Sequence, residues 1–100
     1  MGIDPVDVDP EHYKVEFEND RVRALRISYG PKEKSGVMHD HPDAIGVFLS
    51  DVHGKFTFPD GTTKEITGKA GEAAWFPAVT HLPENLSDEP IDMLVFELKG

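Results

Sequence analysis

An all-β fold, a single small sandwich or barrel of about nine short strands, follows from three observations on this chain. Apolar and polar residues alternate with period two, not with the helical period of about 3.6. Turn residues break the runs roughly every eight to twelve positions, the spacing of all-β domains. Pro59, Pro77, Pro83 and Pro90 all fall where strands should end, where a missing amide donor costs least.

Each element has its own signature. Tyr13 to Phe17 alternates as a strand and Asn19-Asp20 turns it. Val22 to Tyr29 is a second strand, closed by Gly30-Pro31; Lys32 to Ser35 is a charged loop, and Gly36 leads into the segment of His39 and His41. Ala44 to Val52 is mostly apolar and reads as a strand buried on both faces, ended or bulged at His53-Gly54. Lys55 to Phe58 alternates, Pro59-Asp60-Gly61-Thr62 is a hairpin turn, and Thr63 to Thr67 pairs back. A turn over Gly68 to Gly71 precedes the strand Glu72 to Phe76. A loop from Pro77 to Pro83 carries His81, Asn85 to Pro90 is a polar turn, and Ile91 to Leu98 is the last strand. No helix is expected with any strength. Met1 to Pro10 reads as a loose arm or an edge strand, and residues 11–100 as the barrel domain.

Composition narrows the function. A chain of 100 residues supports one core and a small pocket, not a separate cofactor domain. Its net charge of −9 suits neither nucleic acid nor an acidic membrane surface. With no cysteine, disulfides, thiolate zinc sites and a cysteine nucleophile are excluded, leaving histidine and carboxylate as the common ligand types. Met1 to Pro10 lacks the basic-then-apolar pattern of a signal peptide, and no apolar stretch approaches the ~20 residues of a spanning helix. The expected location is the cytoplasm.

His39-Asp40-His41 carries the chemistry. Side chains alternate along a strand, so two imidazoles two residues apart share one face and present two neutral nitrogen donors side by side. A divalent transition metal uses such a pair, and His81 offers a third donor. Taken alone, the pair is equally compatible with exposed strand histidines that bond only water.

The stretches from Gly36 to His53-Gly54 and from Gly71 to Asn85 resemble the two motifs of the cupin superfamily. Five residues separate Gly71 from Pro77, and three separate His81 from Asn85, as in the second motif. The resemblance runs from about Tyr13 to Leu98 and implies a jelly-roll β-barrel. It also implies His39, His41 and His81 as metal ligands. The chain departs from the family pattern in three places. The glutamate of the first motif should fall at Ile45 or Gly46, neither of which binds metal. The segment from Pro77 to His81 is one residue short and lacks its glycine. Gly36 lies too close to His39, although Gly30 is near the expected distance.

Three histidines without the glutamate imply a centre of net charge near +2, a stronger Lewis acid than one with a carboxylate. Ile45 in the carboxylate's place implies an apolar pocket wall. At its ligands the chain is similar to three-histidine cupins that cleave β-diketones or oxidise thiols. This implies a metal-dependent dioxygenase on a small chelating oxygenated substrate such as a β-dicarbonyl, with Fe(II) favoured and Ni, Zn, Mn or Cu also compatible. Zinc would instead support hydrolysis. The alternatives are a non-catalytic metal or small-ligand sensor and a metal-free structural domain. No catalytic residue beyond the metal ligands is identified. A homodimer is the expected assembly, as is common among small cupins.

The other polar residues read more simply. Asp40 is expected to be a solvated carboxylate, Asp43 and His53 turn residues, and His12 a surface residue. Glu97 lies in the apolar run Met93 to Leu98 and is expected to face solvent or pair with an arginine, Arg26 being a candidate; holding a ligand histidine is the other reading. Trp75 and Phe48 are expected in the core, with lining the pocket as the other reading.

Overall fold

The computed structural model describes residues 2–100. Among them are nine strands and one short helix, in the order α1 (Pro5–Val8), β1 (Tyr13–Glu18), β2 (Val22–Tyr29), β3 (His39–His41), β4 (Ala44–Phe48), β5 (Val52–Thr57), β6 (Thr63–Gly68), β7 (Ala73–Phe76), β8 (Val79–Asn85) and β9 (Ile91–Leu98). They form two antiparallel sheets, β1-β2-β9-β4-β7 and β3-β8-β5-β6, facing each other as a jelly roll.

The turns form where their residues require. Asn19 Oδ1 accepts from the amides of Arg21 and Val22 and so closes the β1–β2 hairpin. Asp60 Oδ1 accepts from the Thr62 amide, and Gly61, at φ 87°, takes the left-handed position between β5 and β6. Gly71 does the same before β7, at φ 90°.

The core lies between the sheets. Leu25, Ile27 and Tyr29 face inward from β2, Phe48 from β4, Val52 from β5, and Ile91 and Val95 from β9. Burying these side chains contributes roughly 1.5–3 kcal/mol each.

Several expectations need correction. Ala44 to Val52 is not one strand buried on both faces. Pairing stops at Phe48 and a new strand starts at Val52, with His53 and Gly54 inside it. Ile45 lies on the outer face of the sheet and is 41% exposed. Trp75 is also outside, 55% exposed and directly paired with Ile45. Register explains both. Phe17, Ala24, Phe96, Ile45 and Trp75 stand side by side across all five strands, an apolar row on the solvent face of the sheet. Phe48 is in the core, as expected.

The arm is neither loose nor a strand. Asp4 caps α1 by accepting from the Val6 amide, Pro5 starts the helix, and the Ile3 carbonyl accepts from the Asp40 amide. Pro83 lies within β8 rather than at its end, beyond the last residue of β8 that pairs with β3. No helix among the described residues is long and apolar enough to cross a membrane.

Candidate metal centre

His39 and His81 are directly opposed in the β3–β8 ladder, so their side chains share a face, and His41 joins them by alternation on β3. His81 is therefore a strand residue and not, as expected, a loop residue. The three rings stand edge to face, with centroids 5.0–5.2 Å apart. One nitrogen from each lies within 4.8 Å of the others.

Each ring is held differently. His39 is fully buried and its Nδ1 is 3.0 Å from the Val37 carbonyl, which fixes the proton there and leaves Nε2 without a partner. His41 Nδ1 is 2.6 Å from Glu97 Oε2. His81 has no hydrogen bond at either buried nitrogen and rests against Phe56, ring centroids 4.2 Å apart. Burial, reinforced by the neighbouring imidazoles, lowers the pKa of His39 to about 4 and that of His81 to about 2. Both rings are neutral near pH 7, as metal donors must be.

Unpaired buried nitrogens are costly, and native structures keep few of them. An ion bound by one nitrogen from each ring would give a partner to His39 Nε2 and to one of the two bare nitrogens of His81, which fits a divalent transition metal. Three imidazoles without thiolate or carboxylate suit Fe, Ni, Cu or Zn.

Glu97 corrects the sequence reading. It does not face solvent; it has the expected arginine partner, but this is Arg23 and not Arg26, which binds Asp92, and it also holds a histidine of the trio, the other reading of the sequence. Glu97 is 3% exposed and bridges His41 to Arg23, whose Nη2 lies 2.7 Å from its Oε1. Arg23 also makes a two-pronged contact with Asp4, the cap of α1. A chain of four side chains thus runs from the helix to the centre. The expected +2 centre therefore has a carboxylate one hydrogen bond away. Glu97 lies on β9 opposite Ala44, beside the place where the first-motif glutamate would stand. The only sequence sign of it was an acid in an apolar run.

Gly46, not Ile45, is the inward residue at that place. A Cβ built there would lie 2.5 Å from the Phe76 ring, so Phe76 and Met93 fill the space of the absent glutamate.

The remaining residues are structural. Asp40 accepts from the Ile3 amide and the Thr80 hydroxyl and ties the arm to β3 and β8. Asp43 accepts from the Ala78 amide. His53, within β5, pairs with Glu65 across the surface. His12 is not a surface residue; it stacks on Tyr29 at 4.1 Å and bonds Asp9. Asn85, the motif asparagine, is buried and binds the Gly30 and Glu89 carbonyls, so it organises a turn.

Behind the histidines, between the sheets, lies a half-open cavity of about 420 Å³, bordered by His41, His81 and Tyr13 and elsewhere mainly by apolar side chains. Tyr13 packs against His39 and His41, and its hydroxyl is bonded to that of Tyr29 at 2.8 Å. Burial pushes the Tyr13 pKa well above the usual tyrosine value.

No protein-family model matches the chain. By sequence it is similar to flexible cuticle protein 12 of Hyalophora cecropia, 26% identical over 86 residues that span 79% of this chain and 82% of that one. Many solved structures share its shape. A cupin domain from Bordetella pertussis superposes with a TM-score of 0.79 at 23% identity, over 88% of this chain and 92% of that one. The polyketide cyclase RemF of Streptomyces resistomycificus gives 0.63 at 16% identity, over 88% and 64%. Oxalate decarboxylase of Bacillus subtilis, a protein with Mn(II) centres, gives 0.61 at 23% identity, over 80% and 22%. At these identities the likeness establishes the fold, which is that of the cupins.

Proposed function

We propose that this cupin-fold chain is a metal-dependent enzyme acting on a small, chelating, oxygenated molecule, with Fe(II)-type dioxygenation of a β-dicarbonyl as its leading form. One observation carries the reading: three buried imidazoles converge beside a half-open, mainly apolar cavity, with His39 Nε2 and both His81 nitrogens unpartnered. His39, His41 and His81 would hold the ion. When bound, it would supply Lewis acidity for an enolised substrate and, as Fe(II), redox chemistry with dioxygen. In support, one protein that shares this fold over part of its length, the oxalate decarboxylase, carries Mn(II) centres.

The chain's own residues supply the rest. Glu97 holds the His41 proton at Nδ1 and turns Nε2 to the centre, while Val37 does the same for His39. Three neutral donors leave coordination positions open, as catalysis requires and a closed structural site does not. The apolar walls exclude water and strengthen every electrostatic contact inside. Tyr13, kept protonated by burial and tied through its hydroxyl to that of Tyr29, is a fixed polar group at the cavity wall.

The test is anaerobic reconstitution with Fe(II), followed by oxygen uptake with β-dicarbonyls, thiols and catechols. Substrate-dependent uptake that disappears in His39→Ala and His81→Ala supports the proposal. Stoichiometric iron without uptake on any of the three classes rules out the dioxygenase. Undiminished metal binding in a chain carrying both substitutions rules out the centre.

A further inference from the structure

A small domain gains nothing in stability from unfilled apolar space, because the atoms lining it forgo contacts they would otherwise make. The cavity of about 420 Å³ therefore calls for an occupant, and it falls in the size range of small-molecule sites. Its lining specifies the occupant's chemistry. An aromatic wall starts at the centre: Phe56 lies 4.2 Å from the His81 ring, Phe76 lies 6.4 Å from Phe56, and Phe48 lies 6.5 Å from Phe76.

The charges complete the description. Of the ten lysines and arginines in the chain, only Lys64 borders the cavity, from the exposed edge strand β6. Arg23, the cation nearest His41, is occupied by Glu97 and Asp4. Beyond the histidine end, the charged groups bordering the cavity are Lys64 and Glu84, so a charged group carried deeper between the aromatic walls would shed its hydration without a partner.

We infer that the site takes an uncharged, mostly apolar molecule, aromatic where it lies along Phe56, Phe76 and Phe48, with an oxygen pair at the histidine end. The oxygen pair rests on the proposed metal centre; the apolar, aromatic body rests on the cavity alone. Oxalate-like and cysteine-like molecules have no apolar body to place against these walls and are expected to bind more weakly.

Calorimetric titration of the whole chain, metal-free and Co(II)-loaded, tests this with four compounds: 1-naphthol, benzoylacetone, oxalate and L-cysteine. The metal-free chain should bind 1-naphthol, and the loaded chain should bind benzoylacetone roughly tenfold or more tighter than oxalate or cysteine, since burying one phenyl group is worth at least that factor. Ala74→Phe, which places a ring in the cavity, should weaken 1-naphthol binding by about tenfold. Ile66→Trp does the same from β6 if the first variant misfolds.

Tighter binding of oxalate or cysteine by the loaded chain overturns the inference. So does indifference of 1-naphthol binding to both cavity-filling variants. Co(II) spectra separate the two proposals. If Co(II) does not bind but 1-naphthol does, the metal reading fails and the apolar site stands. If Co(II) binds and neither aromatic compound does, the apolar site fails alone.

Discussion

His41 and His81 face the same centre but are held in opposite ways. His41 is fixed through Nδ1 by a buried carboxylate that is itself fixed by Arg23 and Asp4. His81 has only packing against Phe56 and its neighbouring rings, with both nitrogens bare. One ring is preorganised by a polar network; the other carries an unmet hydrogen-bonding demand that a metal would satisfy. The centre thus combines a rigid donor with one that costs stability until the ion arrives.

The sharpest way to break this comparison is to replace each ring by leucine. Both His41→Leu and His81→Leu should lower Zn(II) affinity by roughly 100-fold or more, read by competition with a chelator. Their effects on the metal-free chain should differ in sign. His41→Leu removes a partner from buried Glu97 and should cost about 2 kcal/mol in urea unfolding. His81→Leu removes two unpaired buried nitrogens and should be neutral or stabilising by about 1 kcal/mol. Equal destabilisation would end the distinction.

Acid should sharpen it. The folded pKa of His39 is about 4 and that of His81 about 2, both below the ordinary 6.5, so between these values the unfolded chain binds more protons than the folded one. The stabilisation is complete above pH 6.5 and is lost as pH falls toward 4 for His39 and 2 for His81, by roughly 3 kcal/mol per histidine at pH 4. The metal-free chain should therefore lose stability steeply from pH 6.5 to 4, and His81→Leu should lose it with a slope shallower by one proton. Parallel slopes would show that His81 is not buried as described.

The polar network should give smaller, graded losses. Glu97→Gln should reduce Zn(II) affinity by about 10- to 100-fold, the range for groups that orient a ligand. Asp4→Asn, one contact further out, should cost only a few-fold. A larger loss from Asp4→Asn than from Glu97→Gln would reverse the proposed order of support.

Much of the fold was legible because its signals are local. The alternation of Tyr13 to Phe17, the turn at Asp60-Gly61 and the bends at Asn19-Asp20 and Gly71 each act within a few residues, and the structure uses all of them. The trio His39, His41 and His81 was legible by strand alternation and by motif resemblance. Facing was less legible. An apolar run such as Ala44 to Phe48 does not reveal which face is covered, so Ile45 and Trp75 were misplaced until the register put them outside. His81 was read as a loop residue because Pro77 and Pro83 bracket it, yet β8 extends through Pro83 where pairing with β3 has ended.

The sequence by itself determined an all-β chain with about nine strands and three histidines suited to one centre. These depend on side-chain alternation and turn chemistry, which need no knowledge of distant neighbours. Only the tertiary structure decided that Glu97 stands behind His41, 56 residues away, that Arg23 and not Arg26 holds it, and that Phe76 fills the space beside Gly46. Those contacts exist because β9 lies between β2 and β4 with Glu97 turned inward, and strand order and facing are properties of the packed sheets rather than of any one segment.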